Sequence, residues 1–353
     1  MNHGWETVET ESGVCRMSTK KLGEQTVALS DPPSIVGHAN VVGKKEGDGP
    51  LKETFDYIDK DDTFGQPSWE KSESEMQKQA LAGALDKAEL SVSQLDFLFA
   101  GDLLNQCIGS GYAARGQDVS FFGLYGACST MGEGLALAAM TMDGGFGQWA
   151  AAVASSHFCT AERQYRFPPE YGSQRPPTAQ YTVTGAGAFY LTREKASLRV
   201  ADGVIGRIVD GGITDANNMG AAMAPAAADT ILRYFDHSGR RQEEFDAIVT
   251  GDLGMEGLKL TQELLRSGGL DISSRHMDGG VLIFDAERQD MHCGGSGCGC
   301  LSTVLGGYFM KRLQAKELKR ILAVGTGALL SASTPLQKLS IPGVAHGVCL
   351  EVV

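Results

Sequence analysis

Residues 93–102 read SQLDFLFAGD, and residues 243–252 read EEFDAIVTGD. At an offset of 150 residues, the two aspartates and the glycine of the first stretch align with identical residues in the second, and apolar residues match between them. Each stretch follows a segment with helical spacing of apolar residues, 72–90 in the first half of the chain and 221–236 in the second. The repeat predicts two similar α/β halves, although a chance similarity between two buried strands would give the same match.

Helix and strand patterns alternate around both copies of the repeat. Short apolar runs are typical of buried strands, and longer segments of small and apolar residues at helical spacing are typical of helices. These patterns predict helices over 72–90, 129–142, 221–236 and 303–315, and strands over 95–101, 119–125, 149–155, 181–191 and 320–326. Continuous apolar strands that alternate with helices indicate an α/β protein whose sheet is covered on both faces.

The composition fits a globular protein with an acidic surface. The 353 residues are 42% hydrophobic, and 31 basic residues against 43 acidic residues give a net charge of −12. Such a surface repels phosphate backbones and anionic lipids, so the charge argues against nucleic acid as a partner and against polybasic membrane attachment. The longest apolar runs, 135–140 and 149–154, are far shorter than the roughly 20 residues that a membrane-spanning helix needs.

The N-terminus and the cysteines predict a cytoplasmic protein. The first residues, MNHGWETVETESG, are acidic where a signal peptide would be basic and then apolar, so we expect no export by that route. Eight cysteines in a chain of this length are typical of free thiols in a reducing compartment. The sequence therefore predicts a soluble protein on the cytosolic side of a membrane.

Cys128 is the strongest candidate for a functional residue. It lies in Gly126-Ala127-Cys128-Ser129-Thr130, between a predicted strand and a predicted buried helix. A turn of this kind places a side chain at the carboxyl end of a sheet and at a helix N-terminus, where unpaired N–H groups favour a thiolate or a bound anion. The alternative is a buried cysteine at a helix start with no role in function.

Residues 155–181 form a long connection rich in arginine, tyrosine and proline. The stretch contains His157, Arg163, Arg166 and Arg175, interleaved with three tyrosines. Because arginine binds carboxylates in a bidentate manner and aromatic rings stack on flat ligands, this pattern suits a small anion. The alternative is a solvated loop with ordinary ion pairs.

Two histidine-containing segments near the C-terminus carry weaker signals. His292-Cys293-Gly-Gly-Ser-Gly-Cys298-Gly-Cys300 could be half of a zinc or iron–sulfur site, but no second cysteine pair stands nearby and we expect no metal. The glycines fit a tight turn that leads into the helix after Ser302. His346 lies beside a predicted final strand, where a single histidine is usually a hydrogen-bonding core residue.

The Gly126-Ala127-Cys128 turn and the small-residue helix after it, in a duplicated α/β chain, resemble the thiolase superfamily. The resemblance implies a five-layered αβαβα fold of two similar halves, with the nucleophile of that superfamily at Cys128. The expected organisation is an N-terminal tail over 1–35, a first half over 36–196 and a second half over 197–353. A homodimer that forms across the edge of the first-half sheet is also expected from the resemblance.

Within the superfamily, the chain is similar to the stage V sporulation AD family of spore-forming Firmicutes. The similarity rests on the segments GDLLNQ (101–106), SSH (155–157), TAERQ (160–164), MAPAAADT (223–230), GGSGC (294–298), TGALLS (326–331) and AHGV (345–348). It implies the dipicolinate-binding subunit of the SpoVA system, which moves dipicolinic acid or its calcium chelate into the forespore. Membrane-embedded SpoVA proteins are then expected as partners at the forespore membrane.

The chain departs from the catalytic pattern of the superfamily. Condensing enzymes carry a histidine after the second-half strand, where this chain has Thr250-Gly251-Asp252, and no further catalytic His or Asn is evident over 290–303. An aspartate near Cys128 would raise the pKa of the thiol and oppose an enolate. The machinery for condensation is therefore expected to be incomplete.

Three functions follow from these observations. The first is a non-catalytic dipicolinate site without a cofactor, with ligand-binding residues Cys128, His157, Arg163, Arg166, Arg175, Asp252 and His346. The second is a divergent acyltransferase in which Cys128 is the nucleophile and His157 or His346 the base. The third is a docking subunit with a vestigial cleft.

Overall fold

The computed structural model describes residues 20–165 and 175–353. Its strands are β1 (Lys21–Leu22), β2 (Thr26–Ala28), β3 (Ser34–Val42), β4 (Tyr57–Ile58), β5 (Phe97–Gly101), β6 (Ser120–Gly123), β7 (Trp149–Ser156), β8 (Tyr181–Thr182), β9 (Gly185–Thr192), β10 (Leu198–Ile205), β11 (Ala247–Thr250), β12 (His276–Asp278), β13 (Gly295–Ser296), β14 (Arg320–Ala328) and β15 (Gly343–Val352). Its α-helices are α1 (Lys44–Gly47), α2 (Trp69–Lys87), α3 (Ile108–Ala114), α4 (Thr130–Asp143), α5 (Phe158–Tyr165), α6 (Met219–Ser238), α7 (Gly254–Ser267), α8 (Gly279–Leu282), α9 (Cys298–Val304) and α10 (Met310–Gln314).

One strand order occurs twice. The first set runs β3-β9-β7-β5-β6, and the second runs β10-β15-β14-β11-β12. In each set the second strand is antiparallel to both of its neighbours, and the last three strands are parallel to one another. The sets meet where β10 pairs with β3 through Arg199 and Ser34. The predicted α/β class is confirmed, and the repeated order is the architecture that the sequence repeat predicts.

The aspartates of the sequence repeat make the same hydrogen bonds in both halves. The Asp96 carboxylate accepts the N–H groups of the two residues where β7 begins, at 2.7 and 3.0 Å. The Asp246 carboxylate accepts those of the two residues where β14 begins, at 2.6 and 3.0 Å. Each aspartate therefore ties the strand that follows it to the next parallel strand in the sheet.

The helices form three layers around the two strand sets. α2 packs on β3, β7 and β9, and α6 packs on β14 and β15. α4 contacts β7 of the first set as well as β14 and β15 of the second, and α9 contacts β7 and β9. Close approach depends on glycine, because a Cβ on Gly132 of α4 would lie 2.2 Å from the His346 carbonyl oxygen. α4 and α9 thus form the shared middle layer.

Four segments differ from the sequence prediction. The strand predicted over 181–191 is divided into β8 and β9, and the connection over 155–181 contains α5. The helix predicted from residue 303 begins at Cys298, directly after the positive φ of Gly297 ends the glycine turn. The predicted tail over 1–35 includes β1 and β2, and β2 pairs with β10. The remaining domain boundaries stay predictions.

No helix within residues 20–165 and 175–353 has both the length and the apolar content that are needed to cross a bilayer.

Candidate functional site

A strained turn holds Cys128 between the two strand sets. Residues Ala127–Ser129 form one turn of 3-10 helix ahead of α4, and Ala127 adopts a φ of 49°. A residue with a Cβ pays an energetic cost in this left-handed region, so the surrounding structure must hold the turn in place. Gly327 of β14 lies against it, because a Cβ there would be 2.4 Å from the Gly126 carbonyl oxygen. The Cys128 side chain is almost completely buried.

A cavity of about 410 Å³ opens in front of Cys128. One wall follows the end of β5 in the first strand set, and another follows the end of β14 in the second. The cavity is lined by Asp102, Leu103, Leu104, Asn105, Gln106, Tyr125, Ala127, Cys128, Ala161, Tyr165, Thr182, Met219, Ser296, Ala328, Leu329, Leu330, Ser331 and Thr334. Apolar carbons, two phenols and several hydroxyl and amide groups therefore face the same space.

Asp252 lies beside Cys128, as the sequence predicts. Its carboxylate accepts the Thr326 hydroxyl at 2.7 Å and the Gly297 N–H at 2.8 Å, and it hydrogen-bonds to the Cys128 thiol. Burial raises the pKa of Asp252 to about 7, even though these hydrogen bonds lower it. The carboxyl group is therefore close to its titration point at neutral pH.

The environment of Cys128 keeps the thiol protonated. Burial raises the pKa of the thiol well above its ordinary value, and the negative charge of Asp252 raises it further. A nucleophilic cysteine needs the opposite arrangement, with a cation or a base beside it. No histidine, lysine or arginine of the described ranges lines the cavity. The described lining therefore gives Cys128 no histidine, lysine or arginine that would lower the pKa of its thiol.

A further buried carboxyl group, Glu73 of α2, lies near Asp102, which lines the cavity. Asp102 accepts the Leu104 N–H at 2.8 Å, and the Ser110 N–H and hydroxyl at 2.7 and 2.6 Å. Glu73 accepts hydroxyls of Ser155 and Thr160. Burial, and next the charge of Asp102, raise the pKa of Glu73 to about 8. Glu73 is therefore largely protonated at neutral pH, and the network fixes the wall.

The two predicted ligand-binding histidines are not in the cavity lining. His157 is fully buried; its Nε2 bonds to the Asp62 carbonyl at 2.9 Å and its Nδ1 accepts the Cys159 N–H at 3.1 Å. His346 lies on β15, where its Nδ1 accepts the Gly206 N–H at 3.2 Å. Burial lowers the pKa of both rings, to about 4 for His346. Both rings are therefore neutral at neutral pH, and neighbouring residues occupy both ring nitrogens of His157 and the Nδ1 of His346.

The arginines of residues 155–181 do not converge on the cavity either. Arg163 is half-exposed and pairs with Glu70 at the start of α2. Arg175 donates to the Asp290 carbonyl at 2.5 Å, beside a different cavity. Arg166 lies outside the described residues. Of the predicted set, the structure brings together Cys128 and Asp252.

Sequence reasoning missed most of the polar lining. Asn105, Gln106, Tyr125 and Ser331 carry no catalytic pattern, and their side chains meet only after the sheet has formed. A signal for several of them existed, because residues 101–106 and 326–331 are among the segments that carry the family resemblance. Asp102 also had a signal, since it aligns with Asp252 in the repeat.

Comparisons with known proteins identify relatives over almost the whole chain. The family described as "Stage V sporulation protein AD" matches residues 23–351. Stage V sporulation protein AD of Bacillus subtilis is 41% identical over 332 residues, which cover 94% of this chain and 98% of that protein.

Solved structures of condensing enzymes share the fold. 3-Oxoacyl-[acyl-carrier-protein] synthase III of Aquifex aeolicus superposes with a TM-score of 0.56 at 13% identity, covering 90% of this chain and 99% of the enzyme. OleA of Xanthomonas campestris with bound cerulenin gives 0.55 at 18% identity, covering 90% and 98%. These similarities confirm the thiolase-like fold and, at such low identity, extend no further than the fold.

Proposed function

Because the chain belongs to the stage V sporulation protein AD family, we propose that it acts in stage V of sporulation as a dipicolinate-binding protein whose site is the cavity in front of Cys128. Dipicolinate is a flat pyridine ring with two carboxylates. Tyr125 and Tyr165 offer aromatic surfaces to the ring, and Asn105 and Ser296 offer donors to the carboxylates. The proposal covers the free acid and its calcium chelate, which the protein passes on for movement into the forespore.

The observation that carries the proposal is the position of the Asp252 carboxyl group beside the Cys128 thiol at the cavity. Burial and this carboxyl group hold the thiol in the protonated, unreactive form. A non-catalytic binding role accounts for a cavity that is kept open in front of an unreactive thiol.

Calorimetric titration of the purified protein tests the binding role. We expect saturable binding of dipicolinate at one site per chain, and much weaker binding of benzoate, because one carboxylate of the pair is then missing. An equal affinity for the two ligands would exclude recognition of a dicarboxylate. The absence of any heat, together with failure of dipicolinate to protect against thermal unfolding, would contradict the proposal.

The alternative function, an acyltransferase that uses Cys128, makes a separate prediction. Since the thiol is protonated and no histidine of the described ranges lines the cavity, we expect no acyl adduct on Cys128 after exposure to acyl-CoA donors at neutral pH. Intact-protein and peptide mass spectrometry would detect the adduct. A stable mass increase on Cys128 would favour the acyltransferase over the binding protein.

We also propose a homodimer across the edge of the first strand set. β6 ends the strand order, and among the strands of residues 20–165 and 175–353 it pairs with β5 alone. Phe121 and Phe122 of this strand are 38% and 50% exposed, and Tyr125 just after it is 66% exposed. An apolar, unpaired strand edge is a ready site for pairing with a second copy.

Membrane-embedded SpoVA proteins are the proposed further partners. Through them the protein would be attached peripherally to the forespore inner membrane, on the cytoplasmic side in the sporulating cell. Support for this attachment comes from membership of the family alone.

A further inference from the structure

A second cavity, of about 840 Å³, lies between α1 and the turn over residues 285–290. The Gln289 side chain joins these two walls, because it donates to the Lys45 carbonyl at 2.7 Å and accepts the Asp285 N–H at 2.9 Å. Tyr181 of β8 forms a third wall, whereas the next residue of the strand, Thr182, lines the cavity at Cys128. The two cavities are therefore separate spaces on either side of β8.

Cations gather at the Tyr181 wall. The Lys45 ammonium lies 4.9 Å from the centre of the Tyr181 ring, and the Arg175 guanidinium lies 5.4 Å from it. Phe158 stacks on the same ring at 4.1 Å and holds it in place. Arg288 lines the cavity as well. The Tyr181 ring therefore has two cations beside it, and a third lines the same cavity.

Three cations of the cavity lining lack acidic partners. Within residues 20–165 and 175–353, the side chains of Lys44, Lys45 and Arg288 form no ion pair. Arg175 does not line the cavity; its Nη2 donates to the Asp290 carbonyl and lies 3.9 Å from the Asp290 carboxylate. Unpaired cations that share one cavity favour a bound anion.

Three of the four aspartates that line the cavity accept hydrogen bonds from groups other than the lining cations' side chains, and Asp48 is the fourth. Asp62 accepts the Lys44 N–H at 2.6 Å, and Asp285 accepts the Arg288 N–H at 2.9 Å. The nearer carboxylate oxygen of Asp290 faces His292 at 3.1 Å. Backbone and histidine donors therefore occupy these three carboxylates, which form no ion pair with Lys44, Lys45 or Arg288 in the described ranges.

We propose that this cavity is a second anion site, distinct from the one at Cys128, for a small anion with at least two negative charges. Lys45 would bind one charged group, and Arg288 would bind the other. Phosphate and carboxylate groups share the required chemistry, since both accept from guanidinium and ammonium donors.

Titration of the full chain with inorganic pyrophosphate, at low salt and without divalent metal, tests the proposal. We expect saturable binding that weakens by about tenfold or more in the double variant Lys45→Met/Arg288→Met, because two charged contacts are lost. Arg288→Met alone should give an intermediate loss; since Arg288 is exposed, this variant keeps the test valid if the double variant folds poorly.

The matched control is Lys259→Met/Arg266→Met on α7, which removes the same charges away from the cavity. It should leave the affinity for pyrophosphate unchanged. An equal loss in this control would show non-specific attraction and overturn the proposal, as would the absence of binding to the wild-type protein. A parallel titration with citrate decides the source: tighter binding of pyrophosphate assigns a phosphate ester, and tighter binding of citrate assigns a polycarboxylate.

Discussion

Replacement of Ser331 by tryptophan is expected to reduce dipicolinate affinity by about 100-fold or more, since the indole would occupy the space that the ligand needs. Ser331 lines the cavity in front of Cys128 and is exposed at its rim, so the larger side chain can be accommodated without disturbing the core. Its hydroxyl contacts Ser333 and Thr334 within the same turn. Titration calorimetry with dipicolinate measures the loss.

Ser333→Trp is the matched control. Ser333 is an exposed hydroxyl of the same turn and shares the hydrogen bond with Ser331, but it does not line the cavity. Its replacement should keep the wild-type affinity. If Ser331→Trp also bound dipicolinate normally while remaining folded, the ligand would have to bind elsewhere, and the proposed site would be wrong.

Phe122→Asp is expected to convert the proposed homodimer into a monomer. The substitution places a charge on the exposed edge strand β6, where two copies would bring the new carboxylates together. Sedimentation velocity at micromolar concentration would show a fall from about twice the chain mass of 37.4 kDa to the chain mass itself.

Two further variants make this result interpretable. Phe146→Asp removes a phenylalanine that is 78% exposed and lies outside the edge strand, so it should leave the dimer intact. The Phe122 ring also stacks on Phe99, and its loss could disturb folding. Phe121→Asp tests the same edge without that contact. A dimer that persists in both edge variants would place the interface on another surface.

The centre of the site was predictable from local sequence, because its placement depends on strand ends. Cys128 follows β6 and begins a buried helix, and Asp252 follows β11. The carboxyl ends of parallel strands meet at one edge of a sheet, so the repeat that aligned Asp102 with Asp252 also indicated where these carboxylates would gather. The burial of helix α4 followed from its small and apolar residues, whereas the strand order came only from the structure.

The rest of the predicted site was not predictable, because a connection does not reveal where its side chains point. The sequence predicts one anion-binding segment over residues 155–181. In the structure, Arg163 lies on α5 and pairs with Glu70 instead. Tyr181 and Thr182 are consecutive residues of the short strand β8, so their side chains point to opposite sides and line different cavities. Arg175 lies beside the Tyr181 ring and not beside Cys128. His157 does not line the cavity for another reason: both of its ring nitrogens form hydrogen bonds with backbone groups, those of Asp62 and Cys159.

The position of β15 has a consequence for how the protein is made. This strand, Gly343–Val352, lies between β14 and β10 and covers α4, so its partners are synthesised long before it. Until residue 352 has left the ribosome, β14 and β10 have no strand between them. The surfaces of α4 and α6 that pack on β15 then remain uncovered. Contacts between residues so distant in sequence form slowly, and the incomplete chain is prone to aggregation. The nascent chain should therefore depend on chaperones until its last strand is inserted.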